Sequence, residues 1–421
     1  NQVAYWSDAN TLTGENQLAQ SRGGTGSNLN GATGFIYFDG GTAIASNTIM
    51  IGLCGVKGST QRLIISFDHR VSDGLEIANF MNDIKIVHLT KKVLRRYLDN
   101  DTYWYNQTTA FPKSKVWWLL NNERISEDDF CGVVAEENDK IVGLVYMIPD
   151  VLRTQANEEK QKIYWMIYWW ISNKYDGNIL STYMYNEALN LAKNQVIVKY
   201  FADNATSFYE KMPFKTIAEY YRYTIFFSLD PSILVAKFSF LKPFKGLFHA
   251  LDYVVSKSLQ GYNLYKLKTR TQHLKYEYIN ELDTQTWQYI KPLCAKDFIA
   301  KTKAYVNWQI NSQQYTQTPV GYKQPYKSLE TGVSSNIAIH NLKILKNNVI
   351  IGFVSFLINY NECNVKYFLV EDDTNFDACV DVLIENMMRL KRKYIFTDDT
   401  RLAQSIKKRN TNIFKHSALK K

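Results

Sequence analysis

Two stretches of this 421-residue chain combine residue types that could do chemistry. The first is FDHRVSDG, residues 67–74, set between apolar flanks in RLIISFDHRVSDGLEIANF. A neutral imidazole titrates near pH 6.5, so His69 is suited to taking a proton from a thiol. Gly74 permits a tight backbone after Asp73, and Asp73 with Arg70 can hold the turn as an ion pair. The second is Lys174-Tyr175-Asp176-Gly177-Asn178-Ile179, between the aromatic segment KIYWMIYWWI and the helical segment ILSTYMYNEALNLA. A helix start offers unpaired backbone N–H groups and the positive end of the helix dipole, which together favour an anion. Each stretch also reads as an ordinary polar turn between strand and helix.

The surrounding elements decide which reading the chain can support. Residues 1–48 are rich in Gly, Asn, Ser and Thr, so they are expected to be loop-rich or short-stranded. The string LAQSRGGTG within them resembles repeats of phage tail-fibre and surface β proteins, which raises the expectation of a fusion junction. Residues 49–86 read as strand TIMIGLCGV, strand RLIISF, the polar turn, and a helix with Leu75, Ala78, Phe80 and Met81 on its apolar positions. Residues 87–229 read as helix VLRRYLDN, a hairpin around Glu136-Glu137-Asn138-Asp139-Lys140, the strand KIYWMIYWWI and its following helix. Strand VIVKYF, short helix ATSFYEKM and a last long strand TIAEYYRYTIFF complete that unit. Glu136 and Glu137, on the hairpin, are expected to be solvated. Residues 230–270 read as a linker with a basic amphipathic segment, ILVAKFSFLKPFKGLFHALDYVV, which Pro243 should break. Residues 271–421 repeat the hairpin plan, with LKILKNNVIIGFVSFLI matching the pattern of NDKIVGLVYMI.

FDHRVSDG with its flanks resembles the active-site segment of the dihydrolipoamide acyltransferases of 2-oxoacid dehydrogenase complexes and the chloramphenicol acetyltransferases. The match covers His69, Asp73 and Gly74. It implies His69 as general base toward a thiol or hydroxyl and Asp73 as support of the turn. The resemblance spans residues 49–86 alone, a fraction of that family's domain, so a complementing acyltransferase chain would have to supply the remainder. Residues 87–229 resemble the GNAT superfamily of N-acetyltransferases. That resemblance implies acetyl-CoA or another acyl-CoA as co-substrate, its pyrophosphate on the backbone of Gly177, Asn178 and Ile179, and Lys174 facing a phosphate. Ile179 stands where the family usually carries a small residue. FYEKMPF, residues 208–214, resembles the family phrase in which a tyrosine protonates the departing thiolate, which implies that role for Tyr209; Pro213 replaces the usual glycine. In the last unit Glu371-Asp372-Asp373-Thr374 stands where phosphate would bind, so no CoA is expected there.

Composition bounds the partners. A net charge of +10 suits anionic ligands but is too spread to require nucleic acid, and the basic run Arg389–Lys393 is expected to be a solvated helix face. Five scattered cysteines without a C-x-x-C pair argue against a zinc ribbon or disulfide framework, and no metal site is expected. No signal segment or membrane-spanning run is visible, so a cytoplasmic protein is expected, with segment 233–255 packed as a linker in preference to lying on a membrane. The fold class is α/β (α+β): two GNAT-like mixed-sheet domains in tandem after a partial acyltransferase segment and an irregular N-terminus. The expected function is N-acyl transfer from acyl-CoA to a small-molecule amine. The alternatives are His69-dependent transfer to a thiol or hydroxyl, in a homo-oligomer or with a complementing chain, and a non-catalytic binding protein.

Overall fold

The computed structural model describes strands at 5–6, 12–13, 49–53 and 63–67, then residues 84–99, 113–138, 140–153, 160–175, 179–199, 206–231, 238–295, 297–315 and 337–420. Contacts divide the chain into Asn1–Lys85 and Ile86–Lys421. In the first unit β1 (Tyr5–Trp6) pairs with β2 (Leu12–Thr13), and β3 (Ile49–Leu53) pairs antiparallel with β4 (Leu63–Phe67), with Ile49 opposite Phe67. Those last two are the strands expected before FDHRVSDG. His69, Asp73 and the expected helix after them lie outside the described residues.

The larger unit opens with β5 (Ile84–Thr90), α1 (Lys91–Asp99) and α2 (Lys113–Leu120). The hairpin β6 (Phe130–Glu137) and β7 (Lys140–Arg153) follows, then β8 (Lys160–Ile171), α3 (Ile179–Leu191), β9 (Val196–Val198) and α4 (Thr206–Lys211). Asn138 turns the hairpin with φ +48°, a left-handed value that Asn tolerates well among non-glycine residues. The five strands form one sheet in order β5-β6-β7-β8-β9, antiparallel from β6 to β8 and parallel between β8 and β9.

The strand expected to finish this unit does form, as β10 (Tyr220–Phe226), but it pairs elsewhere. It enters a seven-stranded sheet of order β11-β12-β13-β14-β15-β10-β16. The other members are β11 (Leu274–Tyr278), β12 (Ile337–Lys346), β13 (Val349–Asn359), β14 (Glu362–Leu369), β15 (Tyr394–Thr397) and β16 (Phe414–Lys420). β10 lies antiparallel between β15 and β16, with Ile225 opposite both Ile395 and Lys415. The core of this sheet holds Ile225, Val354, Phe356 and Ile395. The expected linker is for the most part helix. After a 3-10 turn at Ser239–Phe244 that contains Pro243, α5 runs unbroken over Lys245–Thr271. Pro243 therefore sets the helix start, where its fixed φ costs nothing, and does not break the segment's interior. Next come α6 (Thr284–Ile290), α7 (Lys303–Ile310), α8 (Asp373–Arg389) and α9 (Thr400–Arg409). No described helix is long and apolar enough to cross a membrane.

The two sheets are built to one register. Both hairpins carry a bulge two residues before the turn, between Ala135 and Glu136 and between Ile344 and Leu345. The next ladder is also bulged at matching places, after Tyr146 and after Ser355. A clasp joins the two halves: Trp118 of α2 and Trp308 of α7 stack 4.0 Å apart at 10°. Each indole N–H donates to the other's backbone carbonyl, at 2.7 and 2.6 Å. The sequences around them are alike, KSKVWWLLNN (113–122) and KAYVNWQINS (303–312). Beside the clasp, Asp150 is buried and fully engaged. It accepts from Arg124 at 2.6 Å, Trp165 Nε1 at 2.9 Å, Tyr305 at 2.6 Å and the Val151 N–H at 2.8 Å. Arg124 also lies 3.6 Å over the Tyr305 ring. A buried charge persists only with such complete pairing.

Candidate functional site at the end of β8

The corner where β8 gives way to α3 is set by a glycine. A Cβ at Gly143 on β7 would meet Met184 Sδ of α3 at 2.5 Å and Ile171 Cδ1 at 2.8 Å. Its absence lets α3 seat directly on the sheet. β8 itself has a second feature: the bulge opposite Tyr146/Met147 leaves Ile167 as the extra residue, and the β8–β9 ladder ends at Met166–Val198. β8 runs on to Ile171, so the two parallel strands part in front of the α3 start. A bulge at that position twists and re-aims the strand locally.

Lys174 stands in the turn after β8, and its ammonium binds Glu137 of the hairpin at 2.5 Å. The Tyr175 hydroxyl donates to the same Glu137 oxygen at 2.6 Å. The Lys174 hydrogen bond, then that of Tyr175, holds the Glu137 carboxyl below its usual range, while Glu137 raises Lys174. Glu136 accepts from Tyr97 at 2.7 Å. The two glutamates are thus anchors of the corner and not solvated hairpin residues as their sequence position suggested. Their partners lie 37 to 39 residues away in the chain, so no local pattern could have revealed them. Ile179 begins α3, which has no acidic residue in its first turn. Gly177 and Asn178, with Asp176, lie outside the described residues.

Tyr209 of α4 reaches the point where the strands part. Its hydroxyl lies 3.8 Å from the sulfur of Met166, the last ladder residue. The ring is buried against Phe208, Phe214 and Tyr185, and Trp169 packs on Tyr185 and Phe208. Burial pushes the Tyr209 phenol up to about 12. The phenol is therefore protonated throughout the neutral range. The structure places Lys174 against Glu137 beside the hairpin, Ile179 at the first position of α3, and Tyr209 against Met166 and the aromatic group. Sequence reading missed Met166 and Trp169 as site residues because an aromatic, alternating strand marks burial on both faces without marking where its neighbour leaves it.

The matching corner of the larger sheet differs. Gly352 repeats Gly143: its Cβ would lie 2.5 Å from Cys379 Sγ of α8. Two residues separate Val370 from the first residue of α8, where seven separate Ile171 from the first residue of α3. The chain's own groups fill the helix start. Asp372 accepts from the Thr374 N–H at 2.8 Å and hydroxyl at 2.7 Å, and the Glu371 N–H donates to Tyr289 at 3.0 Å. Hydrogen bonds from Thr374 hold Asp372 below its usual carboxyl range.

The described cysteines are free and buried, and burial raises Cys294 to about 11 and Cys379 to about 12, which leaves them protonated and unreactive. Among the described residues no group of His, Cys, Asp and Glu could hold a metal ion.

Comparison of the sequence with curated proteins finds no match. Solved structures align at low identity. A GCN5-related N-acetyltransferase from Kribbella flavida aligns at 7% identity over 80% of this chain and 70% of its own, with TM-score 0.41. A GCN5-related N-acetyltransferase from Anabaena variabilis aligns at 8% over 80% and 72%, TM-score 0.42. Saccharomyces cerevisiae N-myristoyltransferase with bound myristoyl-CoA aligns at 9% over 80% and 82%, TM-score 0.43. The family described as acetyltransferase (GNAT) matches residues 93–214, the stretch that holds Glu137, Met166, Lys174, Ile179 and Tyr209, so this part of the chain is GNAT-like.

Proposed function

We propose that the chain transfers an acyl group from acyl-CoA to a small-molecule amine at the β8–α3 corner. One observation carries this reading: within the GNAT-like residues, the β8–β9 ladder ends at Met166, β8 runs on to Ile171 ahead of α3, and the Tyr209 hydroxyl meets Met166. Acyl-CoA brings an activated thioester and a pyrophosphate. The pyrophosphate suits the α3 N-terminus, where unpaired N–H groups and the dipole favour an anion. Gly177, Asn178 and Ile179 would supply those donors, and Lys174 would add its charge if the phosphate shares or displaces Glu137. The parted edge of β8, Ile167–Ile171, offers backbone groups to the amide-rich arm that joins pyrophosphate to sulfur.

In the transfer the amine lone pair attacks the thioester carbonyl carbon, the C–N bond forms, the C–S bond breaks, and the nitrogen gives its extra proton to solvent. The leaving sulfur gathers negative charge. A phenol near 12 does not hand its proton outright to a thiolate whose conjugate thiol titrates near ~8.5. Tyr209 would instead donate a hydrogen bond that strengthens as charge builds on sulfur, in a site where burial excludes water.

The shared register, the paired bulges and the repeated Gly143/Gly352 contact support a divergent duplication of one GNAT-like unit. In the second copy the filled α8 start leaves no seat for pyrophosphate, and its role would be to frame the first. A thermal-shift series with acetyl-CoA and longer acyl-CoAs tests the reading. A micromolar ligand at millimolar concentration should add about 4 kcal/mol of stability. No shift with any acyl-CoA would favour a non-catalytic binding protein. Unimpaired acyl transfer by His69→Ala would exclude the His69-dependent alternative.

A further inference from the structure

Helix α5 carries apolar residues on its outer side. The face toward the protein mixes hydrogen-bonded polar side chains with Leu259, Leu264 and Leu267, which pack on the core. Asp252 is buried and accepts from Ser228 at 2.6 Å, Ser256 at 2.8 Å and Lys393 at 3.1 Å. Further along, Gln260 donates to the Met388 carbonyl at 2.6 Å, and Asn263 exchanges two bonds with the Thr411 backbone at 2.8 and 3.0 Å. The opposite face is apolar. Phe240, Phe244, Leu247, Leu251 and Val254 are each between 46% and 71% exposed. Within α5, at about 100° per residue, Leu247, Leu251 and Val254 fall within an arc of about 60° directed away from Asp252 and Asn263, and Phe240 and Phe244 precede them in the 3-10 turn. A helix that simply covers a protein core leaves its outer face polar.

Charge on the helix is one-sided. Within Lys245–Thr271 the single acidic residue is Asp252, which is buried and paired with Lys393, while Lys245, Lys257, Lys266, Lys268 and Arg270 are cationic. On the flank of α5 that carries Tyr253 and Lys257 lies a recess of about 320 Å³, lined also by His249, Asp252, Lys391 and Arg392. It shares no residue with the β8–α3 corner. The run Arg389–Lys393 is therefore not a plain solvated face: Arg389 pairs with Glu385, Lys393 with Asp252, and Lys391 and Arg392 border the recess.

We propose that the N-terminal half of α5 docks the protein on an anionic lipid surface. The stripe from Phe240 to Val254 would enter the boundary between headgroups and acyl chains, and the recess with Lys257 and Lys391 would face headgroup phosphates. Apolar area and cationic charge reinforce one another in such docking. A second copy of the chain is the poorer occupant, because it would bring two uniformly cationic helices face to face.

The test is co-sedimentation of the full chain with vesicles of phosphatidylcholine alone and with about 30% phosphatidylglycerol, at about 0.1 M and about 0.5 M salt. The expected result is binding to the anionic vesicles only, lost at the higher salt. Leu247→Glu with Leu251→Glu should weaken it at least about tenfold, since a charge must then leave water. Lys257→Glu with Lys391→Glu should weaken it about three- to tenfold. Both pairs change exposed side chains, so thermal unfolding should match the parent protein. The proposal is overturned by absence of binding to anionic vesicles, by equal binding of the Leu247→Glu, Leu251→Glu protein, or by a solution dimer that this variant dissolves in place of a lipid effect.

Discussion

The corners β8–α3 and β14–α8 share a sheet register, a glycine that seats the helix and a bulge in the preceding ladder, yet they end differently. At β8 the turn is long, its lysine is steered by Glu137, and α3 begins without an acidic residue. At β14 the turn is three residues long, and Asp372 and Tyr289 engage backbone donors at the helix start. A helix N-terminus is a generic anion seat, and at α8 the chain fills it with its own groups. Helix packing at each corner depends on Gly143 or Gly352, whereas the character of the helix start depends on a few turn residues.

The largest effect is expected where the two halves meet. Tyr305 of α7 and Lys115 of α2 stand at equivalent places in the repeated segments, but Tyr305 completes the Asp150 cluster while Lys115 donates to Gln314 at 3.2 Å. Tyr305→Leu with Asp150→Ala leaves Arg124 buried without its carboxylate, and should cost about 3–5 kcal/mol in urea unfolding. Lys115→Met should have the opposite sign. Burial lowers its ammonium to about 7, with Lys366 adding to the shift. The folded pKa then lies below the ordinary value of 10.5, so between about 7 and about 10.5 the unfolded chain binds a proton that the folded chain does not. Stability should rise with pH through that window, and Lys115→Met should abolish the rise. An unchanged pH slope in the variant would remove Lys115 from this account.

Next in size, Gly177→Glu should weaken acyl-CoA binding by about a hundredfold or more in calorimetry, because it puts a carboxylate where pyrophosphate must sit. The substitution Glu371→Lys, two residues before α8 as Gly177 is two before α3, should leave binding unchanged. Equal losses would erase the distinction between the corners. Tyr209→Phe should lower turnover about tenfold with little change in acyl-CoA affinity, as expected for a hydrogen bond that matters when charge develops on sulfur. Smallest of all, Asp372→Gly should open the α8 start without creating a second binding site, since the turn stays too short; a second equivalent of bound acyl-CoA would contradict this.

Sequence reading located the hairpins well because Asn138 and Asn347-Asn348 accept the left-handed backbone that tight turns demand, at φ +48°, +52° and +65°. It located α3 and α8 from their apolar spacing. It misjudged Glu136 and Glu137, and it overlooked the KSKVWWLLNN and KAYVNWQINS pair, because tryptophan in a short helix reads as core until its partner is known. It also treated 233–255 as a packed linker broken at Pro243, since hydropathy does not say which face of a helix is turned inward.

What the sequence determined by itself, then, is local: element types, turn chemistry, the glycines on β7 and β13, and the presence of a lysine and a helix start at one corner. These follow from φ/ψ limits and side-chain period, which act over a few residues. Only the tertiary structure decided where β10 pairs, that α2 and α7 clasp through Trp118 and Trp308, that Glu137 steers Lys174, and that α5 leaves Leu247, Leu251 and Val254 on its outer side. β10 has the alternating pattern that either sheet could take, and the pattern carries no address. Its place between β15 and β16 is fixed by partners more than 160 residues away, whose joint burial no local rule can foresee.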